Sequence, residues 1–246
     1  MLTTQRKTLL LDRLKAEGRL VATDLALALG CSEDTIRRDL RELAATGHLL
    51  RVHGGALPLS PTHQPLDHRR QIEPAAKDRL ATAAAPLITA GMTVILDGGT
   101  THLALIRHLP LTLRATIITH SPVIAAALEF HPQIEVILIG GRLYRHSMVA
   151  TGSATHAAFA RLPADLCLIG VTGLHPDRGL TTGNDEEAEI KRRMMDSAAE
   201  TVTLVTPDKL GTASPWQIAP LAGLSTLVTT TQRPDWLPAA TAHIRA

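Results

Sequence analysis

The residues in this chain best suited to binding chemistry are three closely spaced arginines, Arg37, Arg38 and Arg41. A guanidinium group binds phosphate oxygens as a planar fork and also fits the guanine edge in a DNA major groove. The apolar positions of the same segment repeat at helical spacing: Ile36, Leu40 and Leu43. At about 100° per residue, the arginines therefore lie on the side away from this apolar stripe. A solvated helix with salt bridges would show the same pattern, so the preceding elements decide between the two interpretations.

Two further helices are predicted before this segment. Residues 6–16 have helical spacing and a glycine ends them, and a second short helix follows with Thr23 or Ala22 as its cap. Gly30-Cys31 forms a tight turn, and Ser32 is a suitable N-cap for the third helix. Two short helices joined by a glycine-containing turn are typical of a helix-turn-helix, whose second helix enters the major groove. The sequence therefore favours DNA binding over a purely structural three-helix unit.

A strand pattern after the third helix predicts a wing. Residues 49–53 alternate in polarity before Gly54-Gly55, so Arg51 and His53 are expected near the DNA backbone. The residues predicted to contact DNA are Ser32, Thr35, Arg37, Arg38, Arg41, Arg51 and His53.

Charge and composition limit the class of protein. Residues 1–57 carry nine Lys and Arg against seven Asp and Glu, and the remainder carries sixteen of each, so the formal excess of +2 lies in the N-terminal part. This mild bias predicts a DNA-binding protein whose recognition of its site depends on geometry and on dimerisation, with salt-sensitive phosphate contacts as support. At 246 residues, the chain is long enough for two domains and a sizeable core.

Cysteine usage and hydropathy predict a cytoplasmic protein. Cys31 and Cys167 are too few for a disulfide framework or a zinc site, and both fit a reducing compartment. We expect no signal peptide and no membrane span, because the start of the chain leads into an amphipathic helix and long apolar runs are absent. The twelve histidines are scattered, so neither a metal nor another cofactor is expected.

The rest of the chain divides into a linker and a second domain. Four prolines interrupt residues 58–74, which we interpret as a semi-extended linker with a short helix at residues 67–70 that packs against the second domain. From residue 75 to residue 246, buried strands alternate with helices, which predicts an α/β domain built on a parallel sheet. The strands are expected at residues 93–97, 115–119, 134–139, 166–171, 202–205 and 224–229, and a strong helix at 185–199.

Several predicted strand ends carry polar and small residues. In a parallel sheet, ligands bind beyond the carboxyl ends of the strands. Glycines and hydroxyls in residues 97–101 could hold a phosphate group, and Ser121 could cap a helix or face the same rim. Each of these loops alone also fits a tight connection or a capped helix. Glu187 and Lys191 are spaced as an ordinary i, i+4 helix pair, and Lys209 could reach an anion or remain in solvent.

The N-terminal motifs resemble those of the DeoR family of bacterial transcriptional regulators. The resemblance covers about residues 3–57 and depends on the segments Thr35-Ile36-Arg37-Arg38-Asp39-Leu40 and Arg51-Val52-His53-Gly54-Gly55-Ala56. It implies a repressor whose recognition helix spans about residues 31–44.

The second half resembles the sensor domain of the same family over about residues 75–231. The matching positions include Asp97-Gly98-Gly99-Thr100-Thr101, Thr119-His120-Ser121, Gly140-Gly141, Gly152, Asp165, Gly170, Gly179-Leu180-Thr181, Glu187-Ala188, Lys191 and Lys209-Leu210-Gly211. The resemblance implies a fold similar to ribose-5-phosphate isomerase and a phosphorylated sugar as effector. It gives Asp97 the role of accepting sugar hydroxyls and Lys209 that of supplying charge. The effector residues that it implies are Asp97, Gly99, Thr100, Thr101, His120, Ser121, Gly141, Glu187, Lys191 and Lys209.

Three positions depart from the usual family pattern. Gly98 stands where serine is usual, His120 stands where asparagine is usual, and Thr206-Pro207-Asp208 replaces an Asp-x-Ser pattern. These changes alter the hydrogen-bonding groups at the rim. His120 would serve there as a plain donor or make recognition sensitive to pH near neutrality.

The sequence thus predicts a regulator rather than an enzyme: a winged helix-turn-helix followed by an α/β effector sensor. Two heads held by the sensor domains, in a homo-oligomer (a dimer or tetramer), would contact two half-sites of operator DNA. One alternative is a sugar-phosphate isomerase with an appended head, and another is a DNA-binding protein that responds to no ligand.

Overall fold

The computed structural model of the protein describes residues 2–59 and 64–246. The helices are α1 (Thr3–Glu17), α2 (Ala22–Leu29), α3 (Glu33–Ala45), α4 (Leu66–Arg69), α5 (Pro74–Ala84), α6 (Thr100–Ile106), α7 (Pro122–Ala127), α8 (Ser153–Phe159) and α9 (Asp185–Asp196). The strands are β1 (Leu20–Val21), β2 (Leu50–Val52), β3 (Gly55–Leu57), β4 (Thr93–Leu96), β5 (Ala115–Thr119), β6 (Ile134–Leu138), β7 (Arg142–Tyr144), β8 (Val149–Thr151), β9 (Ala164–Ile169), β10 (Gly173–His175), β11 (Gly179–Thr182), β12 (Ala198–Val205), β13 (Trp216–Ala219), β14 (Thr226–Thr229) and β15 (Ala242–Arg245).

The N-terminal head packs α1, α2 and α3 around one small apolar core. That core includes Leu10, Leu25, Ile36, Leu40 and Leu43, so the stripe predicted on the third helix is buried. A three-stranded sheet in the order β1-β3-β2 flanks the helices. This arrangement is the expected winged helix-turn-helix. The predicted cap of α2 was wrong, because Val21 holds that position and forms no side-chain cap.

A glycine allows the wing to pair with β1. Val21 pairs with Gly55 in the antiparallel β1–β3 ladder. A Cβ added to Gly55 would lie 1.8 Å from the carbonyl oxygen of Leu20, so any larger residue would push the wing away.

A buried ion pair joins the first and third helices of the head. The Arg6 Nε atom donates to Asp39 Oδ2, and Asp39 is fully buried. This contact raises the pKa of Arg6, with the hydrogen bond to Asp39 as the largest cause. It fixes the back of α3 to α1 while the arginine face of α3 stays open.

The sensor domain is built on a seven-stranded sheet in the order β15-β14-β12-β9-β4-β5-β6. Each neighbouring pair is parallel. Helices cover both faces of the sheet, and successive side chains of each strand point to opposite faces, as β4 shows. Val94 and Leu96 pack in a core with residues of α5, α6 and α7, whereas Ile95 packs with residues of α8 and α9. The predicted α/β sheet is therefore present.

Strand pairing also explains where the predicted boundaries differ from the structure. The helix predicted to end at residue 199 ends at Asp196, because Ala198 already pairs with Ala164 at the start of β12. Two small sheets, β7–β8 and β10-β11-β13, lie beside the main sheet and had no counterpart in the sequence prediction.

The segment between the domains is attached to the sensor at several points. The Pro58 carbonyl accepts a hydrogen bond of 3.2 Å from Ala213 N, and Leu66 N donates to the His146 carbonyl at 3.0 Å. Leu66 begins α4 and is buried. Residues 60–63 of the predicted linker lie outside the described residues.

The two cysteines occupy different environments. Cys31 is half-buried at the turn before α3, and Cys167 is fully buried in β9. Burial raises the pKa of the Cys167 thiol well above its ordinary value. Within the described parts of the chain, no helix is both long enough and apolar enough to cross a membrane.

Candidate functional site

The recognition helix α3 begins at a side-chain cap. Ser32 Oγ accepts a hydrogen bond of 3.2 Å from Thr35 N, and the two hydroxyls lie 2.8 Å apart. Glu33 and Asp34 follow in the first turn, where the helix dipole favours negative charge. The hydroxyls of Ser32 and Thr35, both predicted to contact DNA, are thus already paired with each other at the helix start.

Three predicted arginines lie on the solvent side of α3. Arg37, Arg38 and Arg41 are exposed, and Arg37 Nη2 forms an i, i+4 ion pair of 2.7 Å with Glu33. Arg38 and Arg41 form no ion pair with any residue that the structure describes. Their guanidinium groups are therefore available to phosphates or base edges.

A groove brings the wing and the recognition helix together. It has a volume of about 160 Å³ and is lined by Arg37 from α3 and by Arg51, His53 and Gly54 from the wing. Arg51 and His53 are exposed. The structure thus places the predicted wing residues beside the predicted recognition helix, on one continuous surface.

In the sensor, the carboxyl ends of the strands meet at Asp97, which is fully buried. Asp97 Oδ1 accepts from Gly98 N at 2.7 Å and from His120 Nε2 at 2.9 Å. Asp97 Oδ2 accepts from Gly170 N at 2.8 Å and from Lys191 Nζ. Burial alone would raise the pKa of Asp97, but Lys191 and His120 together hold it well below its ordinary value. Asp97 is therefore an ionised carboxylate with four donors.

His120 is held between two acceptors. Its Nδ1 lies 2.8 Å from the Ala150 carbonyl, and its Nε2 faces Asp97. Both partners are oxygens that can only accept, so a ring nitrogen that carries a proton donates to one of them. His120 is fully buried and fixes Asp97 from one side.

A cavity of about 40 Å³ lies at this edge of the sheet. Six of the predicted effector residues line it: Asp97, Gly99, Thr100, Glu187, Lys191 and Lys209. These residues come from the ends of β4 and β12 and from α9, so the fold brings together positions far apart in the chain. Glu187 and Lys191 are both buried, although they lie on a helix.

Lys191 does not form the i, i+4 pair with Glu187 that its spacing indicates. Lys191 Nζ donates to Asp97 Oδ2 and, at 2.9 Å, to the Gly170 carbonyl. The carboxylate of Glu187 is left on the cavity wall. Because the helix turns this face toward the sheet, the two side chains lie at the cavity and do not form a surface pair.

Four predicted effector residues lie outside the cavity wall: Thr101, His120, Ser121 and Gly141. Ser121 caps α7 through Ile124 N, and its hydroxyl donates to the Met148 carbonyl at 3.1 Å. At Gly141, an added Cβ would lie 2.1 Å from Thr155 Oγ1. These residues shape the loops around the cavity.

Comparison with known proteins assigns both halves of the chain. Residues 6–62 match the DeoR-like helix-turn-helix domain, and residues 72–231 match the DeoR C terminal sensor domain. The chain is 33% identical to the HTH-type transcriptional repressor GlcR of Bacillus subtilis, over 93% of this chain and 89% of that protein. It is 30% identical to the glycerol-3-phosphate regulon repressor of Escherichia coli K12, over 86% of this chain and 84% of that protein.

The chain belongs to the DeoR family of transcriptional regulators. Among solved structures, it is similar to ribose 5-phosphate isomerase A from Methanocaldococcus jannaschii, with a TM-score of 0.40 and 19% identity over 55% of this chain and 53% of that chain. The relatives that resemble the chain over most of its length are regulators, and the isomerase alternative finds no support among them.

The side chains that line the DeoR sensor cavity but were not among the predicted effector residues include Arg69, His102 and Thr182. His102 Nδ1 lies 2.8 Å from the backbone carbonyl of Asp97, and burial lowers the pKa of His102. Thr182 Oγ1 is buried without a hydrogen-bond partner among the described residues. The charged run at residues 67–70 was predicted to form a short helix against the second domain, but no local pattern places Arg69 at the sheet edge.

Proposed function

We propose that this DeoR-family protein is a transcriptional repressor that binds operator DNA through α3 and the wing and is controlled by a phosphorylated sugar or a related metabolite. The operator surface consists of the exposed arginines of α3 with Arg51 and His53 beside them. The effector site is the sensor cavity at the carboxyl edge of the main sheet. We further propose that the protein acts as a homo-oligomer, because two heads are needed for two half-sites.

The effector assignment rests on one observation: the same cavity contains carboxylate acceptors and the ammonium group of Lys209, which forms no ion pair with a described residue. Glu187 offers carboxylate oxygens suited to sugar hydroxyls, whereas both oxygens of Asp97 already accept from protein donors. Lys209 faces the same space, and its Nζ donates only to the Val171 carbonyl, at 3.2 Å, among the described residues. A polyhydroxylated molecule with a phosphoryl group suits this lining, because its hydroxyls can donate to carboxylate oxygens and its phosphoryl group can accept from Lys209.

The same geometry favours binding over turnover. An isomerase needs a general base that can take a proton from the substrate. Asp97 has both oxygens occupied by donors and a strongly lowered pKa, so it is a weak base. The carboxylate of Glu187 also lies on the cavity wall, so the proposal of a sensor without isomerase activity needs a direct test. Incubation with pentose and hexose phosphates should give no aldose–ketose exchange.

Operator binding is tested with the full chain and a duplex from its own promoter, against a random duplex of equal length. We expect a preference for the promoter duplex that persists as salt is raised, while the affinity for both duplexes falls because phosphate contacts release counterions. Equal affinity for both duplexes in low salt would refute sequence-specific binding.

Effector binding is tested by thermal unfolding with glycerol 3-phosphate, ribose 5-phosphate and glucose 6-phosphate, each compared with its unphosphorylated parent. A ligand at about 100 times its dissociation constant stabilises the folded state by about 2.7 kcal/mol. We expect stabilisation by at least one phosphorylated compound and none by its parent. The absence of a shift with every compound would favour the ligand-independent alternative.

A further inference from the structure

The segment that joins the head to the sensor contributes a side chain to the effector cavity. Helix α4 lies between the two domains in the chain and ends at Arg69, which lines the cavity together with Asp97 and Lys209. Its backbone is held by the sensor, because Leu66 N donates to the His146 carbonyl and the Arg69 carbonyl accepts from Lys77 Nζ. Arg69 is thus fixed in place before any ligand arrives.

The side chain of Arg69 is half-buried, and part of its guanidinium group is enclosed by the protein. Its Nε and Nη2 atoms are inaccessible to solvent and have no hydrogen-bond partner among the described residues. Burial lowers the pKa of Arg69, and the charges of Glu187 and Asp97 only partly offset this effect. An unpaired buried charge is costly, so its retention points to a ligand that pairs with it.

A second cation faces the same space. Lys209 forms no ion pair with any described residue, and its pKa is lowered to about 8 by burial first and by Arg69 next. Lys191 differs, because Asp97 already neutralises it. The cavity therefore contains two cations, Arg69 and Lys209. Each makes the charged form of the other less favourable until an anion binds between them.

We propose that Arg69 and Lys209 together bind the phosphoryl group of the effector, so that the effector is held in part by the segment leading to the DNA-binding head. The inference rests on the proposed function and extends it by naming the phosphate ligands and the route of regulation. Glu187 is left to accept hydroxyls from the remainder of the molecule. A dianion suits this position because a guanidinium fork and an ammonium group both donate to phosphate oxygens.

The placement of Arg69 gives the effector a direct mechanical connection to the head. When the cavity is filled, α4 is fixed to the sensor by the phosphoryl group as well as by its backbone contacts. When the cavity is empty, the two cations repel each other and weaken that attachment. The effector changes operator affinity only as far as its own affinity differs between the two placements of α4.

The test uses the full chain, the variant R69M and the control R70M, which alters the adjacent exposed arginine outside the cavity. The probes are inorganic phosphate, glycerol 3-phosphate, ribose 5-phosphate and glucose 6-phosphate, with affinity measured by titration calorimetry. We expect R69M to lose roughly tenfold or more in affinity for the phosphorylated probe that binds best. R70M should stay within twofold of the unchanged chain, and R69K should recover part of the loss.

Thermal unfolding without ligand separates a ligand role from a structural one. Since Met removes an unpaired buried charge, R69M should unfold at the same temperature as the unchanged chain or higher. A clear decrease in Tm, with probe affinity retained, would make Arg69 a structural residue and overturn the proposal. Saturating probe should change operator affinity in the unchanged chain and in R70M, and no longer in R69M.

The outcomes also separate this inference from the proposed function. If the unchanged chain binds a phosphorylated probe and R69M binds it equally well, the role of Arg69 is refuted while phosphate sensing stands. If R69M at saturation still changes operator affinity as the unchanged chain does, the connection through α4 is refuted. If the unchanged chain binds none of the probes, phosphate sensing and the role of Arg69 both fail.

Discussion

The two functional surfaces of this protein place their positive charges in opposite environments. In the head, Arg38 and Arg41 lie in solvent on one face of α3. In the sensor, Lys191 is buried against Asp97, and the Nε and Nη2 atoms of Arg69 are buried with no hydrogen-bond partner among the described residues. Water stabilises the first set in the absence of DNA, whereas the second set depends on other side chains or on a ligand.

This difference predicts which substitutions affect folding and which affect binding. An exposed arginine can be removed with little effect on stability, because solvent had already screened its charge. Asp97 and the charged side chains that contact it cannot be removed without a loss of stability, because the loss of one leaves other buried charges unpaired. Three experiments test this contrast, from the largest expected effect to the smallest.

The largest effect is expected for Asp97→Asn. The substitution removes the carboxylate that neutralises Lys191 and accepts from His120, so the free energy of unfolding should fall by about 3–5 kcal/mol. Urea unfolding of the full chain measures the change. The matched control is Asp34→Asn, an exposed carboxylate in the first turn of α3. Equal stability of the two variants would contradict the contrast between buried and exposed charges.

An intermediate effect is expected for Arg38→Ala, on DNA binding alone. If Arg38 contacts a base edge, operator affinity should fall by about 1–3 kcal/mol, while the free energy of unfolding changes by no more than about 0.5 kcal/mol. Fluorescence anisotropy with a labelled operator measures the affinity. Arg161→Ala, an exposed arginine of the sensor, is the control and should bind normally. Unchanged operator binding by Arg38→Ala would remove this residue from the interface.

The smallest effect is a pH dependence of effector affinity. The pKa of Lys209 is lowered to about 8 by burial and by Arg69, Lys77 and Lys191, while Asp208 opposes the shift. Lys209 is therefore charged below about pH 8 and neutral above it, and a phosphomonoester becomes dianionic above about pH 6. Affinity should be highest between these values and fall by less than tenfold per unit above pH 8. Calorimetric titrations at several pH values measure it.

The variant Lys209→Arg serves as the control for this pH dependence. An arginine keeps its charge throughout this range, so its affinity should stay level above pH 8. An unmodified chain whose affinity rises above pH 8 would place the phosphoryl group away from Lys209.

The sequence predicted the head more completely than the sensor because the head is stabilised by local contacts. The apolar stripe of α3 and the glycines around it lie within a few residues of each other, so periodicity alone places the helix and its exposed face. The buried pair between Arg6 and Asp39 escaped detection, because each residue looks like a surface charge in its own segment. Only the packing of α1 on α3 brings them together.

In the sensor, the sequence predicted the sheet and the edge at which the site lies, but not its connections. Lys191 and Asp97 are 94 residues apart, and the helical spacing of Lys191 pointed to Glu187 instead. Arg69 was predicted to lie in a short helix against the second domain, but nothing local indicates that its side chain reaches the cavity at the sheet edge. Such long-range charge pairs depend on tertiary packing, which a single sequence does not reveal.

The rate at which a thiol reagent labels the buried Cys167 reports how often the central sheet opens. A thiol reagent attacks the thiolate, and the raised pKa of Cys167 together with its position inside β9 protects it while the sheet is intact. Half-buried Cys31, at the turn before α3, has no comparable protection. One labelling time course on the natural chain therefore yields two rates: a fast one beside the DNA-reading helix and a slow one that measures how often the central sheet opens.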